Sequence, residues 1–379
     1  MSNKVDFFRH DLGEAELSMI REVLQTPMLT TGKVTREFED RFAAYLGVEH
    51  AIGCMSATAA LQLAYLALDI GEGDEVITTP MSFIATSNAI LHVGATPVFV
   101  DVEADTGNID PAAIEAAITD RTRAIAPVHL YGQLCDMREI ARIATKHGLA
   151  IIEDCAHSLE ASQDGYRSGN LGTIGAFSFY PTKSMTCGEG GCITTHDADL
   201  ASKLQQLTLH GMTKGAGDRY GSKYEHWDMD LLGYKANLSN LLAAMLLPQL
   251  DRIDANRQRR EEISRRYEQA FVSLDGVDFP RVRSGRTSAR HLFSIWVDAS
   301  QRDNYLAALQ EEGIGVAVNY RAIHLMRYYK ERFGYKAGMF PEAERIGAST
   351  ITLPLFALLP DPQVDQVIDA VSRVAKRLQ

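Results

Sequence analysis

The chain is poor in cysteine, and its cysteines do not pair. Five occur in 379 residues, at positions 54, 135, 155, 187 and 192, irregularly spaced and with no CxxC. This excludes a disulfide scaffold and gives no support to a zinc ribbon or a dithiol redox motif. They read as free thiols in a reducing compartment. Long apolar runs are also missing: none approaches the ~20 residues that span a bilayer. The opening stretch, MSNKVDFFRHDLGEAEL, lacks the apolar centre of a signal peptide. The expectation is a soluble, cytoplasmic protein with no membrane partner. Positive charge is in deficit, with 38 Lys and Arg against 49 Asp and Glu and a net charge of −11. A broad surface for nucleic acid or anionic lipid needs the opposite balance, so no nucleic-acid partner is expected. One phosphorylated small ligand in a local pocket remains compatible. Low-complexity segments and internal repeats are absent. So are a GxGxxG after a strand, a P-loop, a GxSxG elbow and an HExxH helix. The glycine-rich stretch 169–175 has the wrong spacing for a dinucleotide fingerprint and reads as a turn.

What is present is an ordinary globular composition, 46% hydrophobic and 23% charged. The length suits two domains. From about residue 50 to 200, short β-branched runs (75–78, 97–100, 124–128, 150–152) alternate with helical patterns (57–69, 83–92, 111–118, 136–147). This alternation predicts an α/β fold with a mostly parallel central sheet flanked by helices. A long helical pattern covers 239–274, and Pro248 predicts a kink there or a split into two helices. Beyond it, a strand at 292–297, a helix near 303–312, a short run at 315–318 and a helix at 362–378 suggest a smaller α+β unit. The expected division is a large domain, 1–250, and a small C-terminal domain, 251–379, with the N-terminal segment packing back on one of them.

Three stretches point to chemistry. Lys183 follows the apolar run Phe177-Ser178-Phe179-Tyr180 and precedes Gly188-Glu189-Gly190-Gly191. That puts an amine at a strand end in a crowded site. Burial there lowers the lysine pKa and makes it a nucleophile for carbonyls. A surface-loop lysine is the plain alternative. Asp154 ends the apolar run 150–152, where parallel sheets place their ligands. A buried carboxylate beside a pyridine nitrogen would keep that nitrogen protonated; the alternative is a helix N-cap. The 29 residues from Asp154 to Lys183 allow a crossover or a hairpin, so the two could share a cleft. Ser56-Ala57-Thr58-Ala59-Ala60-Leu61 opens a helical pattern whose N-terminal N–H groups suit a phosphate. Ser178 could add a hydroxyl, and Phe83 an aromatic face for a planar ring. Each also has a structural reading, as N-cap or core residue.

Taken together, these stretches resemble the fold type I pyridoxal-phosphate (PLP) enzymes and, more narrowly, the sugar-nucleotide aminotransferases of the DegT/DnrJ/EryC1/StrS family. The likeness covers nearly the whole chain. It also includes Val93-Gly94-Ala95-Thr96-Pro97-Val98, Pro127-Val128-His129-Leu130-Tyr131-Gly132 and Pro181-Thr182-Lys183. The resemblance implies Lys183 as the lysine bonded to the cofactor and Asp154 as partner of the ring nitrogen. His157 would lie beside the ring hydroxyl and Phe83 against the ring, with Thr58, Ala59 and Ser178 on the phosphate. It implies a homodimer, in which Gly233-Tyr234-Lys235-Ala236-Asn237 reaches the neighbouring subunit's cofactor. Relatives often read G-x-N-x-R there, so Lys235 and Asn237 are departures. Ala57 replaces a frequent glycine.

The implied reaction uses an amino donor, L-glutamate, with pyridoxamine phosphate as intermediate, and a keto group on a nucleotide-linked sugar as acceptor. Family dehydratases carry histidine in place of the lysine, so Lys183 argues against that branch. Asn319-Tyr320-Arg321-Ala322-Ile323-His324 and Arg327 to Phe333 look most like enzymes of UDP-linked 4-keto sugars. Met28 to Lys33 matches a loop lining the sugar-nucleotide site. Lys33, Arg321 and His324 are the expected diphosphate ligands, with His291 nearby; the plain alternative is that they are surface charges. Alternatives are an aminotransferase acting at C3, a PLP enzyme of another reaction type, and a non-catalytic binding protein of the same fold. No metal site is expected. Cys155 and Cys187, beside the proposed site, would react if exposed.

Overall fold

In a computed structural model, which describes residues 4–213 and 226–378, the alternation becomes a seven-stranded sheet. In chain order the strands are β1 (His50–Cys54), β2 (Glu75–Thr78), β3 (Thr96–Phe99), β4 (Thr122–Ile125), β5 (Ala150–Asp154), β6 (Ser162–Gln163), β7 (Tyr166–Arg167), β8 (Ile174–Ser178) and β9 (Gly191–Thr195). They are followed by β10 (Arg286–Thr287), β11 (Phe293–Trp296) and β12 (Thr350–Leu353). The large sheet has the order β1-β9-β8-β5-β4-β2-β3. Only β9 runs against its neighbours. Strands β2 and β9 are buried at every position, as strands between two helical layers should be.

The parallel directions place the carboxyl ends of β1, β2, β5 and β8 at one edge. Asp154 pairs with Ala176 in register, so Asp154 and Ser178 end adjacent strands at that edge. The connection from β5 to β8 is a hairpin, β6 and β7, joined by β10. The glycine-rich stretch within it is a turn, and its amides face Glu153. The N–H groups of Gly169, Leu171 and Gly172 donate to the Glu153 carboxylate. His129 completes this set: its Nδ1 accepts from the Cys135 N–H, so Nε2 carries the proton and donates to Glu153 at 2.8 Å. His129, Glu153 and Cys155 lie close enough to hold an ion. Both functional nitrogens of His129 and both oxygens of Glu153 are already engaged, so the cluster is a closed hydrogen-bond network.

The helix Asn240–Phe271 is continuous, with Ser239 as its cap and Pro248 inside it. The two-helix alternative is therefore corrected. Next to the proline, Gln249 Nε2 donates to the Met245 carbonyl at 2.6 Å and to the Thr186 carbonyl at 2.7 Å, tying this turn to the sheet domain. Along its length the helix changes core. Leu246, Leu250 and Ile253 pack with Phe38, Phe42 and Phe179, whereas Ile263, Tyr267 and Phe271 pack with Phe293, Ile351 and Val371. Val5 joins the latter core and bridges to Ile314, so the N-terminal segment does pack back. The run 315–318 is not a strand. Among the described residues it makes one isolated bridge, Ala317 with Thr352, beside the two-stranded β11–β12 pair. All five cysteines are free and buried, and burial pushes the Cys54 and Cys187 thiols up to about 12. The exposure that reactivity of Cys155 or Cys187 would require is not there. Among the described residues, no helix is long and apolar enough to cross a membrane.

Candidate active site

The carboxyl edge of the sheet opens into a cavity of about 430 Å³, lined among others by Ser56, Thr58, Phe83, Asp154, Ser178 and Lys183. They arrive from four strand ends, those of β1, β2, β5 and β8. Ser56 follows β1 and caps the helix Ala57–Ala67, accepting from the Ala59 N–H at 3.1 Å. Phe83 lies between β2 and the helix Ala85–His92. Asp154 is the last residue of β5, and Lys183 follows β8 in a turn closed by its own N–H to the Tyr180 carbonyl at 2.9 Å.

Asp154 is buried and only partly occupied. Thr86 Oγ1 donates to one oxygen at 2.7 Å and the Ala156 N–H to the other at 3.1 Å. Ser82 contacts Thr86 at 3.1 Å and orients it. Lys183 shares the cavity, and burial pulls its pKa from 10.5 to about 8 against the opposing attraction of Asp154. His157 and His291 stand 4.5 Å apart, ring to ring. Burial, followed by the Lys183 charge, holds both well below the usual histidine range, so both are neutral near pH 7. His157 Nε2 meets the Tyr320 hydroxyl at 3.0 Å, and its buried Nδ1 has no partner among the described residues. Phe83 is 56% exposed over the mouth, 5.9 Å from the Tyr320 ring.

This arrangement suits PLP. It offers an unprotonated-prone amine, a carboxylate with lone pairs to spare, an unused histidine nitrogen and an open aromatic face. The phosphate end has Thr58, Ser178 and the helix N-terminus, where the N–H groups of Ala57 and Thr58 have no acceptor among the described residues. Gly191 keeps that end open: a Cβ there would lie 2.5 Å from the Ser56 carbonyl carbon and 2.7 Å from the Ala57 nitrogen. When bound, PLP supplies an electron sink for carbanion chemistry.

Not every expected residue comes here. Ala59 is corrected: Ser56 takes its N–H, as an N-cap does, and the residue does not line the cavity. His324 is corrected too. It is fully buried against the Phe340 ring and bonded through Nε2 to Glu344 at 3.0 Å, away from the cavity. Its Nε2 is committed to the fold, and its buried Nδ1 has no partner among the described residues. Arg321 is exposed and lines a separate cavity. Lys33 is exposed at the start of the helix Lys33–Leu46. Lys235 and Asn237 bond to each other behind the Ser56 helix end. Asn237 also bridges Cys54 and donates to Thr31 at 2.6 Å. Sequence reasoning missed Ser82, Thr86 and Tyr320 as site residues. The Ser82–Thr86 pair, four apart around a strand-to-helix junction, is a signal visible in hindsight. Tyr320 had none beyond its place in a quoted motif.

The DegT/DnrJ/EryC1/StrS aminotransferase family model matches residues 10–372. The spore coat polysaccharide biosynthesis protein SpsC of Bacillus subtilis (strain 168) is 43% identical over 371 residues, covering 96% of this chain and 95% of SpsC. Among solved structures, the putative sugar aminotransferase Spr1654 of Streptococcus pneumoniae in its PMP form superposes with a TM-score of 0.94 at 32% identity, over 99% of this chain and 100% of that one. A PLP form of Spr1654 gives a TM-score of 0.93 at 31% identity over the same shares. Helicobacter pylori PseC, an aminotransferase involved in the biosynthesis of pseudoaminic acid, gives 0.92 at 29% identity, again over 99% and 100%. The chain therefore belongs to the DegT/DnrJ/EryC1/StrS aminotransferase family, and it is a PLP-dependent sugar aminotransferase.

Proposed function

We propose that the chain transfers an amino group from L-glutamate to the C4 keto group of a UDP-linked sugar, with Lys183 and Asp154 as its catalytic pair. The observation that carries the pair is a buried amine, lowered to about 8, in one cavity with a half-occupied carboxylate. In this reading Lys183 Nζ takes a proton from the donor's Cα and returns one on the other side of the transfer. A pKa near the working pH serves both directions. Asp154 holds a proton on the ring nitrogen, and Thr86 and the Ala156 N–H fix the orientation of its carboxylate. Neutral His157, tied to Tyr320, holds the ring hydroxyl through a nitrogen. Phe83 covers the ring, and Thr58 and Ser178 hold the phosphate. The C4 and UDP assignments are supported by the wording of 319–333. The pair works in a cytoplasmic homodimer whose 233–237 loop serves the neighbouring site. The division at residue 250 falls within the helix Asn240–Phe271, which joins the two cores.

The test is product analysis by NMR with holoenzyme, glutamate and either a 4-keto or a 3-keto UDP-sugar. Amination of the 4-keto substrate is expected; turnover of the 3-keto substrate alone would overturn the position assigned. A fully active monomer at micromolar concentration would overturn the dimer.

A further inference from the structure

A second, small cavity of about 40 Å³ also touches Lys183. Ser184, Gln249, Asn256, Arg260 and His291 line it, among others. Gln249, Asn256 and Arg260 stand at i, i+7 and i+11 of the helix Asn240–Phe271, so one helix face looks onto the Lys183 turn. Gln249 holds the far end of that turn, accepting from the Thr186 N–H at 2.9 Å and donating to its carbonyl at 2.7 Å. Arg260 is buried and pairs with buried Glu160. A buried ion pair is poor evidence of stabilisation by itself, so its other contacts decide what it does.

Those contacts reach all three segments that bring a polar nitrogen to the active site. Nη2 of Arg260 donates to Ser184 Oγ at 3.4 Å, one residue after Lys183. Nε donates to the Ala289 and Arg290 carbonyls at 3.3 and 3.1 Å, just before His291. Glu160 lies three residues after His157. The Ser158 N–H closes on the Cys155 carbonyl at 3.0 Å and the Ala161 N–H on the Ser158 carbonyl at 2.8 Å, so His157 and Glu160 move as one piece. Arg290 has a φ of 48°, in the left-handed region. Such a residue persists where its surroundings over-determine it. Here the same helix holds its carbonyl through Arg260 and its side chain through Glu261 and Glu268.

We infer that Arg260 is a positioning residue for the amine: its guanidinium locks the Lys183 turn to the segments carrying His157 and His291. The planar fork of an arginine, with its several N–H donors, is the side chain that can hold three segments at once. The helix joining the two cores thereby sets how deeply Lys183 is buried. This inference rests on the reading of Lys183 as the amine that takes the cofactor. The acidic and imidazole groups that face Lys183 across its cavity are Asp154, His157, Glu189 and His291, and the variants below leave all four in place.

The test is the pH profile, from pH 6 to 10, of the rate at which full-length apoenzyme captures PLP, followed by its visible band. Wild type is compared with the double variant Glu160→Leu/Arg260→Met, which leaves no unpaired buried charge, and with Ser184→Ala, which cuts only the link to the turn. A loosened turn lets water reach the amine, so the midpoint of the profile should rise from about 8 toward the ordinary lysine range. In the double variant, capture at pH 7 should fall about tenfold and approach the wild-type rate near pH 10. Ser184→Ala should shift the same way by less. A purely structural role would lower the rate by one factor at every pH. Borohydride mapping separates the inference from the reading beneath it. A wild-type label away from Lys183 would overturn both. A label on Lys183, with the wild-type midpoint kept in both variants, would overturn the inference alone. If the double variant does not fold, the midpoint of Ser184→Ala decides.

Discussion

Glu153 and Asp154 are neighbours on one strand with opposite fates. Successive side chains of a strand point to opposite faces, so one carboxylate turns toward the 169–172 loop and the other toward the cavity. Glu153 receives three backbone N–H groups and one imidazole N–H, and its capacity is filled by the protein. Asp154 receives two donors and keeps lone pairs facing the space shared with Lys183. Two adjacent buried acids thus differ not in burial but in how much of their bonding the fold has used. A buried acid that the fold has satisfied holds structure together; one left partly open is available to a ligand.

Substitutions should separate the two roles. The largest effect on turnover is expected from Lys183→Ala, a loss on the order of a thousandfold or more, since no other amine of the cavity can carry the proton; steady-state kinetics with glutamate would check it. Asp154→Asn should lower kcat by about a hundredfold or more with little change in the denaturation midpoint. Glu153→Gln should do the reverse. Replacing one oxygen acceptor by an amide leaves backbone N–H groups facing a donor, at a cost of about 2–3 kcal/mol in urea titration, while the folded fraction keeps its activity. A stability loss in Asp154→Asn equal to that in Glu153→Gln would break the contrast. Thr86→Val removes one of Asp154's two donors and should reduce kcat about tenfold, the value of one hydrogen bond to a charged group.

A smaller effect concerns pH. Only the neutral Lys183 amine attacks a carbonyl, and its folded pKa is depressed to about 8. The rate at which apoenzyme captures the cofactor should therefore rise from pH 6 to about 8 and level off above it. A rise continuing to pH 10 would mean an unperturbed lysine. The smallest effect is none at all: native enzyme should not react with a thiol reagent at Cys155 or Cys187, because both are buried and their thiols are pushed up.

The same contrast explains how much was legible in the sequence. Strand ends and helix starts depend on local pattern, so Asp154, Lys183, Ser56 and Phe83 could be placed at one edge from runs of apolar residues and the rules of parallel sheets. Hydrogen-bond partners across the fold leave no such local trace. Nothing near Glu153 in the chain announces that amides 16 to 19 residues later will fill it. Nothing near Asp154 announces Thr86, 68 residues earlier. His324 was misplaced for the same reason: a histidine in a basic, aromatic stretch reads as a ligand until Glu344 is seen to hold it. Pro248 shows the converse, a local break signal overridden by packing of the helix against two cores.

The central claim is that Lys183 is the amine that takes the cofactor. It is tested most directly by reducing the holoenzyme with borohydride and mapping the cofactor-labelled peptide by mass spectrometry. A single label on Lys183 is expected. A label on another lysine, or none on a protein that retains its visible absorption band, would contradict it.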